Sequence, residues 1–324
     1  MSEERDLLIQ TVRDLVGKHA GPEAVRSAMD SPTGYDERLW QLLCEQVGVV
    51  ALVVPEDLGG AGGELGDAAA ALTELGRNLV PTPLLGTLLA EVALLSAENP
   101  DTDTLEQLAS GETTGAVVFD PGFVINGDIA EVVIVARDGQ LLRVLDFTAH
   151  PVTTMDPTRR LARLEVGHTE VLGPDPGLAD TAALLLAAEA VGAATRALEL
   201  TVAYSKDRVQ FGRPIGSFQA LKHRMADLYV KVQTAGAVVD GAIAEPSPAS
   251  AALAFVVASE ALTDVAAEAI QIHGGIAITA ESDIQLYFKR AHSTSQILGP
   301  VRDHLRRLEP VVLAAPSSEF AALP

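Results

Sequence analysis

The hydrophobic positions along this chain change their period twice. Near the N-terminus Leu8, Val12 and Leu15 recur at i, i+4 and i+7, one face of a helix, with Ser2 and the acids after it placed to cap the first turn. Asp36 is placed to start a helix carrying Leu39, Leu43 and Val47. Residues 49–54 then run into Pro55 and a glycine-rich stretch, 59–63, that reads as a loop. Helical patterns resume over 65–77 and, past Pro81 and Pro83, over 84–95, before a polar linker at 98–103.

From Gly115 the spacing changes to short β-branched or alternating runs split by Gly, Asp and Pro: 116–119, 131–136, 141–147 and 161–166 predict strands. Past 174–177 the helical period returns over 179–207, 217–242 and 250–271, with a Pro/Ser break at 245–250 and shorter helices after Ile284 and Arg302. The tail, 316–324, reads as loose. The expected fold is therefore mainly α, with a helical domain over 1–112, a small β domain over 113–175 and a helical domain over 176–324.

Composition sharpens this picture. The chain is 48% hydrophobic but only 4% aromatic and rich in Ala, Leu and Gly, which favours helices packed through small side chains. Its single cysteine, Cys44, excludes an intramolecular disulfide and a cysteine-rich metal site; it reads as core in a reducing cytosol. Residues 1–8 lack the apolar segment of a leader, and no apolar run reads as long enough to cross a bilayer, so a soluble, cytoplasmic protein is expected. A formal net charge of -21 spread along the chain repels bare nucleic acid, and obliges any anionic ligand to find local basic or backbone donors. No metal is expected.

Two constellations carry candidate chemistry. Arg208, Gln210, Phe211, Gly212, Pro214, Ile215, Phe218 and Gln219 lie between two long alanine-rich helices. A guanidinium, backbone N–H groups and a flat apolar surface suit a dinucleotide's pyrophosphate and adenine. An ordinary helix-to-helix turn, with Arg208 paired to a surface acid, accounts for the same spacing more simply. The second set is Gln271, His273, Gly274 and Gly275. The glycines can simply end a helix, with Gly274 left-handed and His273 structural. Alternatively, the missing side chains let the backbone approach a phosphate while Gln271 donates a hydrogen bond.

Taken in order, the stretch from Arg208 to Gln219, then Lys222, His223, Arg224 and Asp227, then Gln271 to Gly275 and Glu281, closely resembles the acyl-CoA dehydrogenase family. Val53, Pro55, Glu56, Gly59, Gly60, Glu74, Leu75 and Gly76 extend the resemblance into the N-terminal domain. It implies a C-terminal four-helix bundle and a tetramer whose FAD lies across a subunit boundary. Arg208, Gln210, Phe211, Gly212, Gln219, Gln271, His273, Gly274 and Gly275 would grip the ADP half of a neighbour's cofactor.

The family's flavin-holding elements are missing: there is no Thr-Glu-Pro segment with a Gly-Ser-Asp turn, no Trp-x-Thr/Ser strand, and the sole tryptophan is Trp40. The reaction also needs a carboxylate to remove the α-proton of the thioester. Its two family positions fall on Leu298 and on Ala182, and the adjoining family arginine falls on Ala183. Asp180 and Glu189 lie nearby, but Asp180 reads as a helix cap and Glu189 as lying two turns inside the helix.

Asp283, Leu286, Tyr287, Lys289, Arg290 and Ala291 resemble an actinobacterial subgroup in which two dehydrogenase chains form a 2:2 heterotetramer, several acting on CoA thioesters of bulky acids such as steroid side chains. The resemblance implies a subunit without its own base that completes a sister's FAD site. The sister would hold most of the acyl-CoA, form the trans-2-enoyl-CoA and pass electrons to an electron-transfer flavoprotein. Two alternatives stay open: a homomeric dehydrogenase or flavin oxidase or oxygenase with a relocated base, and a flavin-free scaffold.

Overall fold

The computed structural model describes residues 3–314, so the Ser2 cap and the tail at 316–324 lie outside the described residues. Helix α1 (Glu3–His19) opens on Glu3, Glu4 and Asp6 and ends on Lys18 and His19, charges that complement its dipole, and it buries Val12 and Val16. The sequence pattern did not predict α2 (Pro22–Met29), whose proline sits in the first turn, where its missing N–H costs nothing. Asp36 caps α3 (Glu37–Leu42) by accepting from the N–H groups of Arg38 and Leu39. Helices α4 (Leu65–Arg77) and α5 (Leu84–Leu95) follow the predicted bounds, and Glu64 and Asp67 form a capping box at the start of α4. The stretch expected as a linker instead starts α6 (Thr102–Ser110), because Asp101 is its cap rather than a loop residue. Cys44 is half-buried against the core, and burial, then Glu45, pushes its thiol up to about 12, leaving it unreactive.

Seven strands follow: β1 (Gly115–Val118), β2 (Val124–Ile125), β3 (Val132–Arg137), β4 (Gln140–Val144), β5 (Phe147–Val152), β6 (Leu161–Val166) and β7 (Thr169–Pro174). They form one sheet in the order β1-β3-β4-β7 and a second in the order β2-β6-β5. Alternation assigns their faces. Ala116, Val118, Val133 and Val135 pack toward the second sheet, whereas Val117, Val132 and Ile134 join the helical core. The first sheet is thus sandwiched between α5 and the second sheet.

The C-terminal helices are α7 (Leu178–Asp207), α8 (Gln219–Ala244), α9 (Pro248–His273), α10 (Ile284–Ile297) and α11 (Val301–Ala314). The crossing of α4 and α7 is close because both carry glycine at the contact. A Cβ on Gly192 would stand 2.0 Å from the Thr73 carbonyl oxygen, and one on Gly76 would stand 2.3 Å from that of Glu189. Contrary to the expectation from sequence, α7 and the stretch from α9 to Ile278 are long and apolar enough to span a bilayer; 67% and 61% of their most apolar windows are buried within the protein, which marks them as core helices.

Candidate functional site

A cavity of about 750 Å³ lies where the β domain meets α10 and α11. Phe119, Asp120 and Phe123, from the β1–β2 connection, and Thr154, Met155 and Asp156, from the β5–β6 connection, form one wall. Lys289, His292, Ser293, Gln296 and Ile297 of α10 form the other, with Leu298 at the turn into α11. Leu298, the first expected base position, is therefore a cavity residue. Ala182, the second, is 1% exposed inside the core. Neither accepts a proton.

The nearby carboxylates are mostly occupied. Asp180 is not the cap of α7: Gly177 holds that position, Asp175 just before it accepts from the N–H groups of Gly177 and Leu178 at 2.9 and 2.8 Å, and Asp180 pairs with Arg307 of α11. Glu189 is held by Arg159 and, at 2.7 Å, by Arg290. Asp156 accepts from Arg290 at 3.0 Å and from the Thr158 N–H at 3.0 Å. Together Arg159, Arg290, Glu189 and Asp156 make a buried, charge-balanced quartet that fixes the β5–β6 connection on α7 and α10. Asp120, which sequence reasoning missed, lines the cavity without a cationic partner among the described residues; one of its oxygens accepts from the Gly122 N–H at 2.7 Å. His304 was missed as well. Its Nε2 donates to the Leu298 carbonyl at 3.0 Å, a role assigned from the acceptor, and burial holds its pKa below the ordinary value, so the ring is neutral.

The two motifs singled out in the sequence meet at the opposite end of α7. Val209–Gln210 and Arg213–Pro214 pair as a short hairpin, β8 and β9, whose turn residues Phe211 and Gly212 take φ of 53° and 77°. A left-handed phenylalanine is unusual, and this one is 92% exposed. Arg208 is exposed and makes no ion pair among the described residues, unlike the paired arginine of an ordinary turn; Gln210 and Gln219 are exposed too. Tyr204 stacks on His273, which brings the end of α9 beside the hairpin. Gln271, Gly274 and Gly275 are exposed there. Gly274 ends α9 at φ 67° and ψ -144°, a conformation open to glycine but outside the left-handed helical region expected from sequence. Gly275 does not take a positive φ and a Cβ there would meet open space, so nothing among the described residues demands a glycine at this position. Ala179 lines the cavity at one end of α7 and Arg208 follows its other end, a separation of about 40 Å along the helix at the rise of ~1.5 Å per residue.

Comparison with known proteins gives these sites a frame. Residues 2–112 match the model described as "Acyl-CoA dehydrogenase, N-terminal domain", and residues 179–306 match "Acyl-CoA dehydrogenase, C-terminal domain". The chain is 68% identical over 310 residues to acyl-CoA dehydrogenase IpdE2 of Mycolicibacterium smegmatis, covering 95% of this chain and 99% of the relative. It is 64% identical to IpdE2 of Mycobacterium tuberculosis, covering 97% and 99%. Among solved structures, the Tcur3481-Tcur3483 steroid ACAD G363A variant superposes with a TM-score of 0.87 at 27% identity, covering 99% of each chain. Matched from its first helix to its last, and over nearly the full length of such relatives, this chain belongs to the acyl-CoA dehydrogenase family.

Proposed function

We propose that this chain is the non-catalytic partner in a flavin-dependent acyl-CoA dehydrogenase, completing the FAD site of a sister subunit that forms trans-2-enoyl-CoA. Members of this family bind FAD. The chain's own cavity does not suit the flavin half. Its β-domain wall offers Phe119, Phe123, Met155 and Leu161, and the Thr154 hydroxyl is already donated to the Asp156 carbonyl at 3.0 Å. With Leu298 beside it in place of a carboxylate, no step of the oxidation is assigned to this cavity.

One observation carries the reading: the cavity and the exposed Arg208, Phe211 and Gln271 to Gly275 cluster lie at opposite ends of the 30-residue α7. A dinucleotide seated in the cavity could not also reach Arg208. The cluster therefore serves a cofactor based in another subunit, with Arg208 facing pyrophosphate and the open glycines admitting it to the backbone. The sister chain then holds most of the acyl-CoA and hands electrons to an electron-transfer flavoprotein. The two-part name of the Tcur3481-Tcur3483 structure is in keeping with a mixed assembly.

The test is Arg208→Ala in this chain alone, co-expressed with its sister. Loss of a charged hydrogen bond, about 1.5–3 kcal/mol, should weaken FAD retention roughly tenfold or more. Unchanged flavin occupancy would contradict the assignment. A relocated base has one specific observation in its favour, Asp120 at the cavity with no cationic partner among the described residues; Asp120→Asn leaves turnover intact on our reading, and abolishes it if this cavity does the chemistry.

A further inference from the structure

We infer that the cavity between the β domain and α10 is a binding site for an apolar carboxylic acid, taken up without any flavin. Its two walls differ in kind. Lys289, His292, Ser293 and Gln296 recur at i, i+3, i+4 and i+7, so α10 turns a single polar stripe toward the cavity. Facing it are Phe119, Phe123, Met155 and Leu161, of which Phe123 and Met155 remain 55% and 48% exposed. Large apolar side chains left uncovered on a cavity wall are where a hydrophobic ligand gains most by displacing water.

Charge selects the head group. The chain has 23 Lys and Arg against 44 Asp and Glu, so over the chain as a whole an anionic ligand meets more repelling than attracting side chains. Arg307 is committed to Asp180, and the side chains of Lys289 and His292 have no partner among the described residues. Of the acids at the cavity, Asp156 is neutralised by Arg290, and Asp120 stands on the β-domain wall with one oxygen on the Gly122 N–H. A ligand carboxylate is thus drawn to the α10 side, onto Lys289, with His292 and Ser293 within the same stripe. A volume of about 750 Å³ falls in the range of small-molecule sites. The inference is independent of the cluster at Arg208, which lies at the far end of α7.

Binding of dansyl-undecanoate, followed by its fluorescence, tests this on the complex of the full chain with its sister subunit. Dodecanoate should displace the probe, and dodecanol, which lacks the anion, should compete at least tenfold more weakly. Lys289→Gln in this chain should weaken probe binding about tenfold, with Lys289→Arg restoring it, and Met155→Glu should abolish it. Both residues are partly exposed and neither makes a hydrogen bond or ion pair among the described residues, so folding is not at stake in these variants, and the flavin content of the same samples reports the Arg208 cluster separately. Parental affinity in both Lys289→Gln and Met155→Glu would overturn the proposal, as would dodecanol matching dodecanoate. Displacement by dodecanoyl-CoA but not by dodecanoate would overturn it in favour of a thioester site.

Discussion

The ring of Tyr204, near the end of α7, lies on the ring of His273, the last residue of α9, with centroids 4.1 Å apart and planes inclined by 12°. The Tyr204 hydroxyl also donates to the His273 carbonyl at 3.3 Å, and the Arg208 N–H donates to the Tyr204 carbonyl at 2.9 Å. One stack therefore holds Arg208 and the Gly274–Gly275 turn as a unit. Burial keeps the His273 pKa below its ordinary 6.5, so the unfolded chain binds the proton first and the stack loses support as pH falls through 6.5. Tyr204→Ala should lower FAD retention in the mixed complex by the worth of an aromatic pair, about 0.5–1.5 kcal/mol, while Tyr204→Phe keeps it. Equal flavin release on dilution from Tyr204→Ala and parent would refute this coupling.

Two glycines should respond in opposite ways. Gly192→Val places side-chain atoms against the Thr73 carbonyl at the α4–α7 crossing and should cost about 1–3 kcal/mol of stability, read by urea unfolding. Gly275→Ala meets open space and should change stability by less than about 0.5 kcal/mol, yet reduce FAD retention in the complex. If Gly275→Ala retained full flavin, the glycine would have no role toward a ligand.

Arg290 is the hub of the buried quartet, donating to Asp156 at 3.0 Å, to Glu189 at 2.7 Å and to the Thr158 carbonyl at 2.9 Å. Arg290→Met leaves buried Asp156 without a cation and Glu189 with Arg159 alone, and should cost about 3–5 kcal/mol. A loss below ~1 kcal/mol in chemical denaturation would show that the network contributes little net stability.

Glu91, in the middle of α5, is fully buried, and neither carboxyl oxygen has a partner among the described residues. Burial raises its pKa well above 4.5, so the folded protein holds it protonated. Its contribution to stability is fully present below 4.5 and is lost as pH rises from there to the folded pKa. Glu91→Met, of similar volume, should stabilise by about 1–3 kcal/mol at neutral pH and flatten the fall in stability between acid and neutral conditions. An unchanged pH slope would mean that Glu91 does not titrate differently on unfolding.

These particulars also show what the amino-acid order discloses. Helices α4 and α5 could be placed to the residue because their apolar period runs unbroken between caps and prolines. Helices α2 and α6 could not: each is short, and its capping Pro or Asp residues look like loop. Strand β7 escaped notice because it is an edge strand with a mostly exposed pattern and no alternation to read. The two motifs that meet beside Tyr204 and His273 could be picked out because each is contiguous. Asp120, Lys289 and His292 were not, since only the packing of the β1–β2 connection against α10 brings them to one cavity. Asp180 misled for the same reason: its partner, Arg307, lies 127 residues away.

The most direct measurement is the flavin content of this chain purified alone and again with its sister subunit. Flavin-free protein alone, gaining about one FAD per pair of unlike chains on assembly, is the expected result. A yellow, catalytically active protein purified alone would mean that the cavity beside Leu298 holds a flavin of its own, and the assignment of a shared cofactor would fall.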